Sequence, residues 1–247
     1  MMQDIRTVMW KDRKGLLTQG GSRARSILLL FVAIVMIAIL MPLQMGEEWF
    51  DTAWSLIAAF ILPLLLVGTA VPESFAGERE RHTLPTLLAS RLPDRAILFG
   101  KLGLAIGYGW VATLILLGVS LIVANLVAWQ GHFTFYAPLL AVSDVVISLL
   151  MSGLTGSLGV LISLRSATVQ GAQQALMGAL LIPLMLLQIV PIILMSVVPD
   201  GRAMISQITK VDFATVVTVV IVVLALLDIG LFAAAQARFK RARLILD

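Results

Sequence analysis

Six stretches of this chain run apolar for about twenty residues each, and the polar residues gather between them: 27–43, 53–71, 102–128, 137–164, 175–198 and 213–235. About 20 mostly apolar residues are what a helix needs to cross the roughly 30 Å hydrocarbon of a bilayer. None of the runs alternates apolar and polar positions in the manner of a membrane β-strand. The pattern predicts an all-α polytopic membrane protein of six transmembrane helices in one domain spanning 1–247. The third and fourth runs exceed the bilayer, so tilt or irregular ends are expected there.

Ahead of the first run, residues 4–17 place Ile5, Val8, Met9 and Leu16 on one side at helical spacing, with Arg6, Lys11, Arg13 and Lys14 mostly elsewhere. This predicts an amphipathic helix in the membrane interface within a segment 1–25. The other reading is a basic orientation signal only. No small-residue cleavage site closes the first run, so it is expected to stay as a span.

Composition agrees with the pattern. Of 247 residues, 60% are hydrophobic and 13% charged, and mean hydropathy is +1.01. That is half the charge of a soluble domain. Without cysteine, disulfides, cysteine–zinc sites and thiol nucleophiles are excluded. His82 and His132 stand fifty positions apart, which argues against a histidine-rich metal site.

Charge placement predicts topology. The segments 1–25, 72–101, 165–174 and 236–247 hold sixteen of the eighteen Lys and Arg residues, and the alternate loops 44–52, 129–136 and 199–212 hold two. The positive-inside rule then puts both termini in the cytoplasm. Trp49, Trp54, Trp129 and Tyr136 are expected to form an aromatic belt at the opposite interface.

Nine of the 32 charged residues lie in 72–101, PESFAGERERHTLPTLLASRLPDRAILFGK. Thr83 is placed to cap a short helix with Pro85 at its second position, ending near Ser90. Leu84, Leu87 and Leu88 would form its apolar stripe. Two readings of that stripe stand side by side: docking onto a soluble partner, or lying on lipid headgroups. Pro93 stops the chain, and Asp94 is placed to cap the helix entering the third span.

The run FAGERERHTLPTLLASRLPDRAILFGK closely resembles the cytoplasmic loop of ABC-2 type transporter permeases, the membrane subunits of type V ABC exporters. The "GERE" cluster, the Thr-Leu-x-x-Leu-Leu helix and the "GK" entering the third span occur in the family's order. The later run GLTGSLGVLISLRSATVQGAQQALMGALLIPL resembles it too. His82 stands where the family usually has Gly, and Pro85 where an acidic residue is common.

The resemblance implies a multi-pass permease of a prokaryotic cell membrane, paired with a second permease subunit as a homodimer or heterodimer and driven by a separate cytoplasmic ATPase. ATP and Mg would sit on that ATPase, with no cofactor on this chain. The 83–90 helix would be the coupling helix; Glu78, Arg79, Glu80 and Arg81, with Thr83, Leu84, Leu87 and Leu88, would couple the ATPase to the spans. A break at Pro191 and Pro199 would open a re-entrant segment near 191–208. No G-x-x-x-x-G-K-[ST] occurs, so ATP hydrolysis by a P-loop is not expected here.

Inside the spans, Asp144 and Asp228 are the only acidic residues. Asp144 is close enough to a helix end for hydration; Asp228 is placed for a pair with Arg165 or Lys101. Asp144, Ser148, Ser152, Thr155, Gly159 and Ser163 share one face of the fourth span, either as a packing surface or as a polar strip along a transport path. Gly103-x-x-x-Gly107 is a further packing signal. The remaining wall of any path is apolar, which suits a lipid, drug or peptide cargo. A haem-exporter-like permease and a gradient-driven carrier are the competing readings.

Overall fold

The computed structural model describes residues 8–10, 31–32, 34–83, 92–129, 131–197 and 212–239, with side chains left out at 187–188 and 190–197. The short helix expected at 83–90, most of the amphipathic segment 4–17, the start of the first span, the 199–211 loop and the basic tail lie outside the described residues.

The described residues are helical, with no strand among them. A π-helical turn, Met36–Leu40, leads into α1 (Met41–Met45), and a four-residue helix α2 (Glu48–Asp51) follows. Five long helices come next: α3 (Trp54–Glu80), α4 (Asp94–Val127), α5 (Pro138–Ser163), α6 (Val169–Val197) and α7 (Phe213–Arg238). All five are long and apolar enough to cross a bilayer, the architecture of a polytopic membrane protein. Their outward faces carry Ile115, Leu126, Leu226 and Ile229, all exposed. A surface so apolar matches a lipid solvent rather than water.

α5 is the centre, packing against α3, α4, α6 and α7. Its glycines make this possible, because small residues let helix backbones approach closely in a membrane. A Cβ on Gly156 would meet Leu102 Cδ1 of α4 at 2.8 Å. One on Gly159 would meet Val71 of α3 at 3.0 Å and Leu176 of α6 at 3.3 Å, and one on Gly153 would meet Asp228 of α7 at 2.8 Å. The Gly103-x-x-x-Gly107 signal behaves otherwise: a Cβ on either glycine meets nothing within 4 Å, and the close contact of α4 falls on Gly109, against Val67.

Several helix ends depart from the expectations. α3 does not stop near residue 71; it continues through Pro72 to Glu80, so the first part of the expected loop is helix. α4 begins at Asp94 with Pro93 as its cap residue in extended geometry and no side-chain cap bond, so Asp94 lies in the first turn instead of capping. α6 starts at Val169 and runs through Pro191 to Val197, so Pro191 does not break it. Proline within a membrane helix is tolerated where neighbouring groups satisfy the freed backbone.

Candidate functional site

At 1.5 Å per residue, α3 is about 40 Å long and α4 about 51 Å, both longer than the hydrocarbon layer. The excess of both lies at one end, where 73–80 meets 94–101. The four charged residues 78–81 each take a different partner there. Glu78 Oε1 pairs with Lys101 Nζ of α4 at 3.1 Å, with both side chains almost fully buried. Arg79 Nη1 donates to the Leu164 carbonyl at 2.8 Å, at the C-cap of α5. Glu80 Oε2 accepts from the Val169 N–H at 3.0 Å, at the first residue of α6. The signs suit the helix dipoles, cation at a C-terminus and anion at an N-terminus. Arg81 turns back to Glu73 at 3.1 Å. Gly77 lies under that reach, since a Cβ there would meet Arg81 Nη2 at 2.9 Å and Glu73 Oε1 at 3.1 Å.

Lys101 donates to three acceptors: Glu78, the Ser74 carbonyl at 2.8 Å and Ser74 Oγ at 3.2 Å. Those three match the full donor capacity of an ammonium. Phe75 adds its ring face at 5.4 Å.

α3 then ends in a Schellman motif. Thr83 N–H donates to the Glu78 carbonyl at 2.9 Å and His82 N–H to the Arg79 carbonyl at 3.0 Å, with His82 at φ 54°. That left-handed position is the one glycine fills most readily, which gives a physical meaning to His82 at a family glycine position. The Thr83 hydroxyl also turns back to the Glu78 carbonyl, at 3.2 Å, and so closes the preceding helix. Its expected capping of the next helix, and the roles of Leu84, Leu87 and Leu88, lie outside the described residues.

The polar face of α5 is buried along its length: Asp144 is 3% exposed, Ser148, Ser152 and Thr155 fully buried, Ser163 1%. Ser152 donates to the Ser148 carbonyl at 2.8 Å and Ser148 to the Val145 carbonyl at 3.0 Å, each bonding back to its own helix. In this structure the face is a packing surface, and Asp144 is not a hydrated residue at the helix mouth. Asp228 packs on Gly153, and Lys101 is engaged with Glu78 instead; among the described residues no ion pair joins Asp228 to Lys101 or Arg165.

At the opposite end the aromatic belt divides. Trp54 and Trp129 are exposed, but Trp49 is fully buried and donates from Nε1 to the Tyr136 hydroxyl at 3.0 Å. Tyr136 donates on to the Leu117 carbonyl at 3.1 Å. Burial pushes the Tyr136 phenol well above its ordinary pKa, opposed by the Trp49 bond and reinforced by the charge of Asp144. Asn125 holds the segment before α5 by exchanging two 2.8 Å bonds with the Thr134 backbone. Ser120 reaches the Ala38 carbonyl inside the π-helical turn at 2.9 Å.

An apolar cavity of about 380 Å³ opens between α3, α5, α6 and α7, with Leu56, Phe60, Ile147, Leu184 and Val217 among its walls. No group of three or more His, Cys, Asp or Glu residues that could hold a metal occurs among the described residues. Sequence reasoning placed the 78–81 run at a working position but missed three of its partners, Ser74, Leu164 and Val169. Two of the three offer backbone atoms, which leave no mark in the side-chain pattern. In comparisons with known proteins, no family model and no curated protein matches the chain.

Proposed function

We propose that this chain is the membrane subunit of an ATP-binding cassette exporter of the ABC-2 type, with its 78–101 end in the cytoplasm. A separate ATPase carrying ATP and Mg would dock on residues 84–90, and a second permease subunit would complete the path. The observation that supports this reading is the node at 78–81. A pull on the segment after Thr83 acts directly on α3, and through Glu78, Arg79 and Glu80 on α4, α5 and α6. A docked motor needs such a junction, because force applied at one point then moves several spans together. The chain itself would perform no chemistry. An apolar cavity between the helices suits a hydrophobic or amphipathic cargo.

Co-purification with candidate ATPase subunits tests the proposal. Removing residues 84–90 should abolish ATPase association while the bundle still folds; association that survives the deletion refutes the coupling role. A gradient-driven carrier is the second reading, favoured by the two in-span carboxyl groups, Asp144 and Asp228. It predicts transport by liposomes that contain this chain alone.

A further inference from the structure

Asp144 is the seventh residue of α5, about 9 Å in from the helix start. Neither of its carboxyl oxygens has a hydrogen-bond partner. Ser55, in the first turn of α3, faces it. Ser55 is fully buried, and its Oγ also lacks a partner.

The helices packed around this point supply no countercharge. α3 from Trp54 to Pro72, α4 beyond Lys101 and the whole of α6 contain no Asp, Glu, Lys, Arg or His. α7 brings Asp228, which packs on Gly153, nine residues and about 13 Å further along α5, and Arg238 at its far end. From the segment before α5 comes Tyr136, an uncharged phenol bonded to Trp49 and Leu117; His132 there is exposed. The nearby Glu47, Glu48 and Asp51 are exposed and of the same sign.

A buried carboxylate with neither partner nor countercharge costs several kcal/mol. Something must neutralise it. Divalent metals take six or more oxygen ligands, whereas one carboxyl and one hydroxyl converge here. We propose that Asp144 is a proton-binding site, its carboxyl holding one proton and donating it to Ser55 Oγ across the α3–α5 contact. The bound proton turns two orphaned groups into one hydrogen bond and removes the charge from the bundle. This reading stands independently of the exporter proposal.

Infrared spectroscopy of the full chain in lipid nanodiscs, with isotope-labelled aspartate, tests it. The Asp228→Asn background leaves Asp144 as the in-span carboxyl. A protonated-carboxyl band is expected at neutral pH, unchanged when sodium replaces potassium, fading on alkaline titration and absent after Asp144→Asn. No such band in the Asp228→Asn chain overturns the proposal, even where Asp144→Asn does not fold. A band abolished by sodium at constant pH overturns it as well, in favour of a metal-cation site. Stability gives a second readout. The folded chain would bind a proton that the unfolded chain has released, so the melting temperature should fall as pH rises through that titration. Asp144→Asn should remove that dependence, and an unchanged pH slope in this variant counts against the site.

Discussion

His82 pays a conformational cost that its own position explains. As the left-handed residue of the Schellman motif, at φ 54°, it forces a Cβ into a region where only glycine is unstrained. The motif's two backbone bonds, from His82 and Thr83, hold it there. His82→Gly should therefore stabilise the fold by about 1 kcal/mol, read as a higher melting temperature in detergent. His82→Ala keeps the strain and should give no such gain. Of the neighbouring charged residues, Glu78 and Lys101 differ from Arg81 in kind. The first two are buried against each other, whereas the Arg81–Glu73 pair is partly exposed and worth little, as exposed pairs generally are.

Among the elements, α5 is central because it is thin where its neighbours are thick. Gly153, Gly156 and Gly159 each receive a side chain from a different helix. Gly156→Val would drive a branched side chain into Leu102 and Ile106, and overpacking of this kind costs about 1–3 kcal/mol. Gly107→Val on α4 meets open space and should change the melting temperature little. Equal losses at the two positions would show that Gly107 is covered by something beyond this chain. The two α4 glycines of the G-x-x-x-G pattern thus differ from Gly109, two residues on, only in the direction they face.

For the molecule as a whole, the node at 78–81 joins four of the five long helices at one end, while the Trp49–Tyr136–Leu117 and Asn125–Thr134 bonds tie the other. Removing one member of a buried ion pair leaves the other charge uncompensated, at about 3–5 kcal/mol. Lys101→Ala should reach that range in thermal unfolding. The double variant Lys101→Met with Glu78→Gln should recover much of the loss, since no buried charge remains. Recovery in the double variant with ATPase stimulation still lost would separate coupling from stability.

The solvent, the helix class and the rough position of every long helix were legible in the sequence, α5 and α7 to within a residue of their starts, because hydropathy sums along the chain and needs no partner. The charged run 78–81 was legible as a special place for the same reason: charge is scarce and stands out against an apolar background. Which way each helix faces was not legible. A helix surrounded by lipid is apolar on all sides, so no period separates the inner face from the outer. The tertiary structure therefore decided that Gly109 packs and Gly103 does not, and that Trp49 is core while Trp54 faces outward. It decided too that Lys101 meets Glu78 rather than Asp228. The polar face of α5 is the exception: its hydroxyls and Asp144 mark an inner side that the sequence already displayed. Only the packed bundle showed Asp144 closed in beside Ser55, because burial depends on neighbours from distant parts of the chain.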